Sequence, residues 1–135
     1  MMQLINTNSV ALAAGAAIPF SVDLNTNASM LAFDAGTSEI IFKIPGIYKI
    51  IAQFVFSATE AGLNTIYAYS GSAGGNVPGM TSSFTTSAAD EAATYVATKD
   101  IRIHSASPSS MARLNFATLT AGNLTNAIVS IEKIR

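Results

Sequence analysis

Apolar and polar positions alternate along the segment that begins at Gly46. Its even positions are all apolar, whereas its odd positions mix apolar and polar side chains: Ile47, Lys49, Ile51, Gln53, Val55 and Ser57. Successive side chains of a strand point to opposite faces, so the segment is predicted to form a strand with a core face and a partly apolar second face. An uncovered Ile or Val forgoes about 1.5–3 kcal/mol of burial. The second face is therefore expected to be covered, either by this chain or by another subunit.

Strand-like runs separated by Gly, Pro, Asn and Ser clusters follow one another along the chain. The predicted strands are Gln3–Asn6, Ile18–Leu24, Leu31–Phe33, Ile40–Lys43, Gly46–Ser57, Thr65–Ser70, Thr81–Thr86, Ala92–Ala97, Ile101–His104, Ala112–Thr120 and Asn126–Ile134. The segment Ser87–Ala93 is predicted to be a loop. The pattern favours an all-β sandwich or jelly roll. We expect one domain over residues 1–135, with residues 1–17 as its first strand or as an attachment segment.

Composition narrows the function classes. Only 11% of the residues are charged, the net charge is −1 and there is no cysteine. Disulfides and thiolate metal sites are therefore excluded, and nucleic acid is not an expected partner. The apolar run Val10–Phe20 is too short to cross a bilayer, and no basic residue precedes Lys43, so we expect neither a membrane span nor a signal peptide. A surface of neutral polar residues is common in proteins that assemble into outer structures.

Few side chains in the sequence are suited to catalysis, metal binding or phosphate binding. The single histidine, His104, shares a predicted strand face with Arg102 and is interpreted as a surface histidine at a strand end. A zinc site lacks partners, since there is no cysteine and no second histidine. The adjacent acids Asp90 and Glu91 are expected in a solvated loop. The glycine-rich stretch Gly71–Gly79 lacks the ending of a phosphate loop and is expected to be a hairpin tip. We therefore predict no enzyme activity and no cofactor.

Two tyrosines are candidates for ligand contact. Tyr67 and Tyr69 are two residues apart in a predicted strand and so face the same way. They are interpreted either as a sugar-stacking pair or as part of the core or an interface. The predicted loops Gly71–Gly79 and Ser105–Ser110 are further candidates for contact with a receptor or glycan.

The segment FKIPGIYKIIAQFVF, Phe42 to Phe56, resembles the signature region of the C1q and tumour-necrosis-factor superfamily. The specific part is Gly46-Ile47-Tyr48, the start of an aromatic-rich strand after a Pro-Gly turn. The early strands, the segment Ala97–Ser105 and the last strand are compatible with that pattern. Lys99 departs from it, because the family often has Gly before the aspartate at this place. The chain also lacks a collagen-like tract and a calcium-type aspartate cluster.

The resemblance implies a jelly roll of two antiparallel sheets that assembles as a homotrimer. It places the strand Gly46–Ser57 on the inner sheet with its odd face toward the threefold axis. The implied trimer interface consists of Ile47, Lys49, Ile51, Gln53 and Val55. Three lysines near an axis repel one another, so Lys49 is expected at a wet mouth of the axis or beside an acid, Glu91 or Glu132.

Similar domains occur in phage head-fibre or decoration proteins and in bacterial spore-surface trimers. The expected function is a non-enzymatic structural trimer on a phage virion, with other virion proteins as partners. The alternative is a receptor- or glycan-binding adhesion module, at a tail-fibre tip or on a bacterial cell or spore surface. An enzyme on a jelly-roll scaffold is the third hypothesis, and the residue inventory argues against it.

Overall fold

The structure is a computed structural model that describes residues 1–26, 28–70, 76–104 and 113–135. These ranges contain strands and turns but no helix. The strands are β1 (Met2–Asn6), β2 (Val10–Leu12), β3 (Ser21–Asn25), β4 (Leu31–Asp34), β5 (Glu39–Phe42), β6 (Gly46–Ala58), β7 (Gly62–Tyr69), β8 (Asn76–Thr86), β9 (Ala92–Ile103), β10 (Arg113–Thr118) and β11 (Gly122–Lys133).

The strands form two sheets. Sheet I has the order β3-β1-β11-β6-β9, with β2 paired to the start of β11, and sheet II has the order β4-β5-β10-β7-β8. The pairings between these strands are antiparallel. This confirms the predicted all-β jelly roll of two antiparallel sheets.

The core lies between the two sheets and follows from the alternation in β6. The even side chains of this strand are buried, and their rings meet those of sheet II. The ring centroids of Phe54 and Phe116 are 5.3 Å apart, and those of Phe42 and Tyr48 are 4.8 Å apart. Each buried aromatic or aliphatic side chain contributes about 1.5–3 kcal/mol relative to exposure, so this layer holds the sheets together.

The local structure at Gly46 explains the Pro-Gly turn and the Gly-Ile-Tyr sequence. Gly46 has a φ of +155°, and a Cβ atom there would collide with the carbonyl oxygen of Arg135. The Tyr48 hydroxyl donates to the carbonyl oxygen of Ile44 at 2.6 Å and closes the turn from within the core. The Ile47 amide donates to the Arg135 oxygen at 3.1 Å, which ties the C-terminal residues to the start of β6.

Strand β9 corrects the sequence prediction. The sequence indicated two strands, Ala92–Ala97 and Ile101–His104, with a break at residues 98–100. The structure has one strand through both, because β6 is long enough to pair with it from Gly46↔Ile103 to Ser57↔Ala92. Lys99 and Asp100 are held in the strand by their backbone pairing with β6, although their polar side chains did not predict a strand.

Other strand bounds also differ. Strand β2 lies inside the apolar N-terminal run and was not predicted. It pairs with Gly122–Leu124 at the start of β11. The strand expected from Ile18 begins at Ser21, because the Ile18 amide instead donates to the Phe116 oxygen of sheet II. Residues 76–79 of the predicted glycine-rich loop belong to β8. The rest of that loop and the predicted loop Ser105–Ser110 lie outside the described residues.

Candidate functional site

The odd side chains of β6 lie on the face of sheet I that points away from the core. This face, called the outer face of sheet I, carries the odd-numbered residues of β6 and the side chains in register beside them. Ile51 is 44% exposed, Lys49 and Gln53 are exposed, and Ile47 and Val55 are half-buried. The five residues predicted as an interface are therefore brought together on one face. Within the described ranges, no part of the chain covers it fully.

Neighbouring strands extend the apolar area. Gln53 lies in register with Ile128 on β11 and with Val96 on β9, and Ile128 with Ile5 on β1. Val96 is 54% exposed and Ile128 is 39% exposed. Sequence reasoning missed these side chains because each belongs to a different strand, and only the register shows that they are adjacent.

The outer face of sheet I has a hollow beside a β-bulge. The register of β11 against β6 shifts between Leu124 and Asn126. Next to this bulge, Gln53, Val55, Asn126 and Ile128 line a cavity of about 60 Å³. Bulges bend a strand and re-aim its side chains, so the hollow follows from the extra residue in β11.

A row of charges crosses the same face at Lys49. Lys49 is in register with Glu132 on β11 and with Asp100 on β9. Glu91, the other acid expected beside Lys49, lies near the opposite end of β6, where its carboxylate accepts hydrogen bonds from the Ser87 amide at 2.8 Å and the Ala88 amide at 3.3 Å, in the turn before β9. These bonds hold the pKa of Glu91 below its usual value. A pairing of Lys49 with Glu91 of another copy stays a prediction. Glu132 is the neighbour that the sequence anticipated, and Asp100 is an acid that it missed.

Tyr67 and Tyr69 lie on the solvent side of sheet II. Their ring centroids are 5.9 Å apart, and both side chains are half-buried. Burial, then the nearby Tyr67 and Glu39, raise the pKa of Tyr69 above its usual value. Glu39 in turn pairs with Arg113, at 3.1 Å between Oε1 and Nη1. The two rings thus share a face as predicted, and their contact with a ligand stays a prediction.

His104 follows β9 directly and is exposed, on the same side of the sheet as Arg102. Both residues line an open groove of about 400 Å³ together with Arg135, Ile47 and Pro45. Across the described ranges, no group of three or more His, Cys, Asp or Glu side chains is arranged to hold a metal ion. In that same part of the chain, no helix has the length and apolarity needed to cross a membrane.

The architecture is that of a C1q/TNF-like jelly roll, as the segment Phe42–Phe56 indicated. No protein family and no curated protein matches the sequence. Solved structures do match. Eiger TNF from S. frugiperda aligns with a TM-score of 0.75 at 11% identity over 99% of this chain and 91% of that chain. The globular domain of zebrafish complement 1qA aligns with a TM-score of 0.67 at 8% identity over 99% and 96%.

A viral protein is among the similar structures. PRD1 vertex protein P5 aligns with a TM-score of 0.59 at 20% identity, covering 99% of this chain and 96% of that chain. At these identities the comparisons establish the fold, and the function has to be argued from the surfaces of this chain.

Proposed function

We propose that this protein is a non-enzymatic structural trimer on the surface of a phage virion, as a head fibre or a capsid decoration protein. The observation that carries the proposal is the apolar outer face of sheet I. Ile51, Val96 and Ile128 are each at least 39% exposed on this face. Contiguous exposed apolar area of this kind marks an interaction site, and a second and third copy of the chain would bury it.

The threefold arrangement rests on the resemblance to the C1q and tumour-necrosis-factor superfamily. It directs the central strand β6 toward the axis, with Ile51 and Gln53 nearest to it and with Ile47 and Val55 beside them. The register of Ile128 and Val96 with Gln53 gives these residues apolar flanks on both sides. The interface is thus a continuous surface built by three strands rather than one.

The charge row at Lys49 is compatible with burial in such a trimer. Three lysines brought together without partners would be costly to bury. Each chain supplies Glu132 and Asp100 in the strands on either side of Lys49. The carboxylates of the three copies outnumber the ammonium groups and are placed to neutralise them.

The position on a virion is supported by the similar fold of PRD1 vertex protein P5 and by composition. The chain has 11% charged residues and many small neutral ones, which is typical of proteins that pack into an outer structure. Immunogold labelling of particles of the encoding phage tests this location, and particles that remain unlabelled while the free protein is recognised would contradict it.

The trimer is tested by the solution mass from light scattering over a dilution series in high salt. We expect a mass near three chains for the natural protein and a single chain for Ile51→Lys, because the lysine would be buried against the other copies. Val22→Lys is the matched control, since Val22 is 47% exposed on the edge strand β3 and is in register with the buried Leu4, off this face. A single chain at every concentration of the natural protein would contradict the proposal.

A second candidate function is binding of a host surface glycan. The contact between Tyr67 and Tyr69, close to the paired Glu39 and Arg113, places aromatic rings beside polar groups on one surface. A glycan array tests it. A reproducible signal that is lost in Tyr67→Ala and Tyr69→Ala, with the trimer intact, supports this function, and no signal for the natural protein contradicts it.

A further inference from the structure

The charged side chains are divided unequally between the two ends of the sandwich. The basal end is defined as the end where β6 begins at Gly46 and β9 finishes at Ile103, and the distal end as the end where β6 finishes at Ala58 and β9 begins at Ala92. The antiparallel register assigns the lysines and arginines to the basal half: Lys43, Lys49, Lys99, Arg102, Arg113, Lys133 and Arg135. The distal half therefore contains no lysine or arginine.

The basal end combines positive charge with exposed apolar side chains. Arg102, His104 and Arg135 line the open groove of about 400 Å³, which has no acidic side chain in its lining. Ile44 is 37% exposed and Ile134 is 43% exposed at the same end. A partner for this surface should carry carboxylates next to apolar groups.

The distal end has this chemistry. Glu60 lies in the turn between β6 and β7, and Asp90 and Glu91 lie in the turn between β8 and β9; all three are exposed. The Asp90 amide donates to the Ala58 oxygen at 2.8 Å, which holds the two turns together. Leu63 is 64% exposed and Leu119 is 57% exposed at this end.

We propose that the distal end of one copy docks on the basal end of a second copy, in head-to-tail stacking. The carboxylates of Glu60 and Asp90 would face Arg102 and Arg135, and the exposed leucines would face the exposed isoleucines. Guanidinium groups are well suited to such contacts, because their planar donors match a carboxylate in pairs. A sulfated or phosphorylated polymer could neutralise the positive charges but would leave Ile44 and Ile134 uncovered. The exposed leucines of a second copy can cover them.

Head-to-tail contact uses different surfaces on the two copies, so it leaves one end of each kind free and can continue as a filament. The stacking unit rests on the proposed trimer. A threefold rotation does not change direction along its axis, so the basal ends of three chains face the same way. Stacking of trimers would thereby lengthen a fibre by one trimer at a time.

The dependence on salt separates stacking from trimer formation. Charges in the exposed ends are screened over a Debye length of about 30 Å at about 0.01 M salt and about 3 Å at about 1 M salt. The trimer, buried through apolar contacts, should persist at high salt. We expect the weight-average mass from light scattering to stay constant with concentration in high salt, and at least to double over the same dilution series in low salt.

Charge exchange provides the decisive test. The basal variant carries Arg102→Glu and Arg135→Glu. The distal variant carries Glu60→Lys, Ala61→Lys and Asp90→Asn. Asparagine is chosen at position 90 because it tolerates the positive φ of Asp90, 61°. Each variant alone should remain at its high-salt mass when the salt is lowered, whereas an equimolar mixture should grow. Asp23→Lys, on the exposed edge strand β3, is the control and should stack like the natural protein.

Three results would overturn the proposal: no growth of the natural protein in low salt, growth of either variant alone, or no growth of the mixture while both variants keep the natural high-salt mass. A high-salt mass of one chain with growth in low salt would instead support stacking and contradict the trimer. The two proposals therefore fail separately.

Discussion

Ile50 and Ile51 are adjacent in β6 and face opposite environments. Ile50 is fully buried between the sheets, whereas Ile51 is 44% exposed on the outer face of sheet I. The backbone positions are equivalent, so the difference is set by the alternation of a strand. Folding depends on the side chain of Ile50 and, on our proposal, trimer formation depends on the side chain of Ile51.

This relationship gives a first prediction. Ile50→Ala should lower the free energy of unfolding by about 2–5 kcal/mol, because it opens a cavity in the core. Ile51→Ala should change it by less than about 0.5 kcal/mol while the protein is a single chain. Denaturant unfolding over a range of protein concentrations measures both. The effect of Ile51→Ala should appear only where the trimer forms, and an equal loss at all concentrations would contradict its assigned role.

The second prediction concerns a buried amide. Asn64 is 1% exposed, and its Oδ1 atom accepts hydrogen bonds from the Thr118 hydroxyl at 3.0 Å and from the Thr120 amide at 3.1 Å. Asn64→Ala should lower the free energy of unfolding by about 1–3 kcal/mol, because the Thr120 amide loses its acceptor and the buried Thr118 hydroxyl keeps only the Thr120 oxygen, at 3.1 Å. Thermal and denaturant unfolding provide the measurement. Asn123→Ala, at an exposed position, should have little effect.

The third prediction concerns the close approach of β11 to β6. A Cβ atom at Gly122 would overlap the Ser57 oxygen and would lie 2.5 Å from Cζ of Phe56. Gly122→Ala should therefore lower the free energy of unfolding by about 1–3 kcal/mol, the usual effect of overpacking. Gly36→Ala is the control, since its nearest neighbour is a flexible Asp34 oxygen at 3.3 Å. Equal unfolding midpoints for the two variants would contradict this account.

The fourth prediction is a pH dependence. The amides of Ser87 and Ala88 lower the pKa of Glu91 in the folded protein, so the unfolded chain binds its proton more tightly. The stabilisation is fully present above the unfolded pKa and is lost as the pH falls through the lowered folded pKa. Glu91→Gln should thus lower the melting temperature at neutral pH, and the difference from the natural protein should shrink in acid. A difference that is constant with pH would exclude this cause.

The fifth prediction concerns the charge row within the proposed trimer. Asp100→Asn combined with Glu132→Gln should weaken the trimer by about tenfold or more, equivalent to about 1.4 kcal/mol, because Lys49 then loses both of its acidic neighbours. Adding Lys49→Met should restore most of the affinity. Dissociation constants from sedimentation equilibrium test this cycle. A weakening that Lys49→Met does not reverse would show that the carboxylates act through something other than Lys49.

Local patterns predicted the parts of the fold that depend on neighbours in sequence. The two faces of β6 follow from strict alternation over one strand, and Gly46 is required by a turn that Tyr48 closes. The two predicted strands are joined into β9 because β6 is long enough to pair with both. The residues of β9 alone do not indicate this. Val96 and Ile128 joined the candidate site only through register. The charge division between the ends also needed the direction of each strand.

The position of β1 has a consequence for synthesis. Met2 pairs with Ile131 and Asn6 with Ala127, so almost the whole chain lies between the two partners, and β1 is enclosed by β3 on its other side. Contacts this distant in sequence make folding slow, since a large loop must close before they form. Sheet I cannot be completed until β11 has left the ribosome. Until then a nascent chain has no finished outer face through which to associate with another copy.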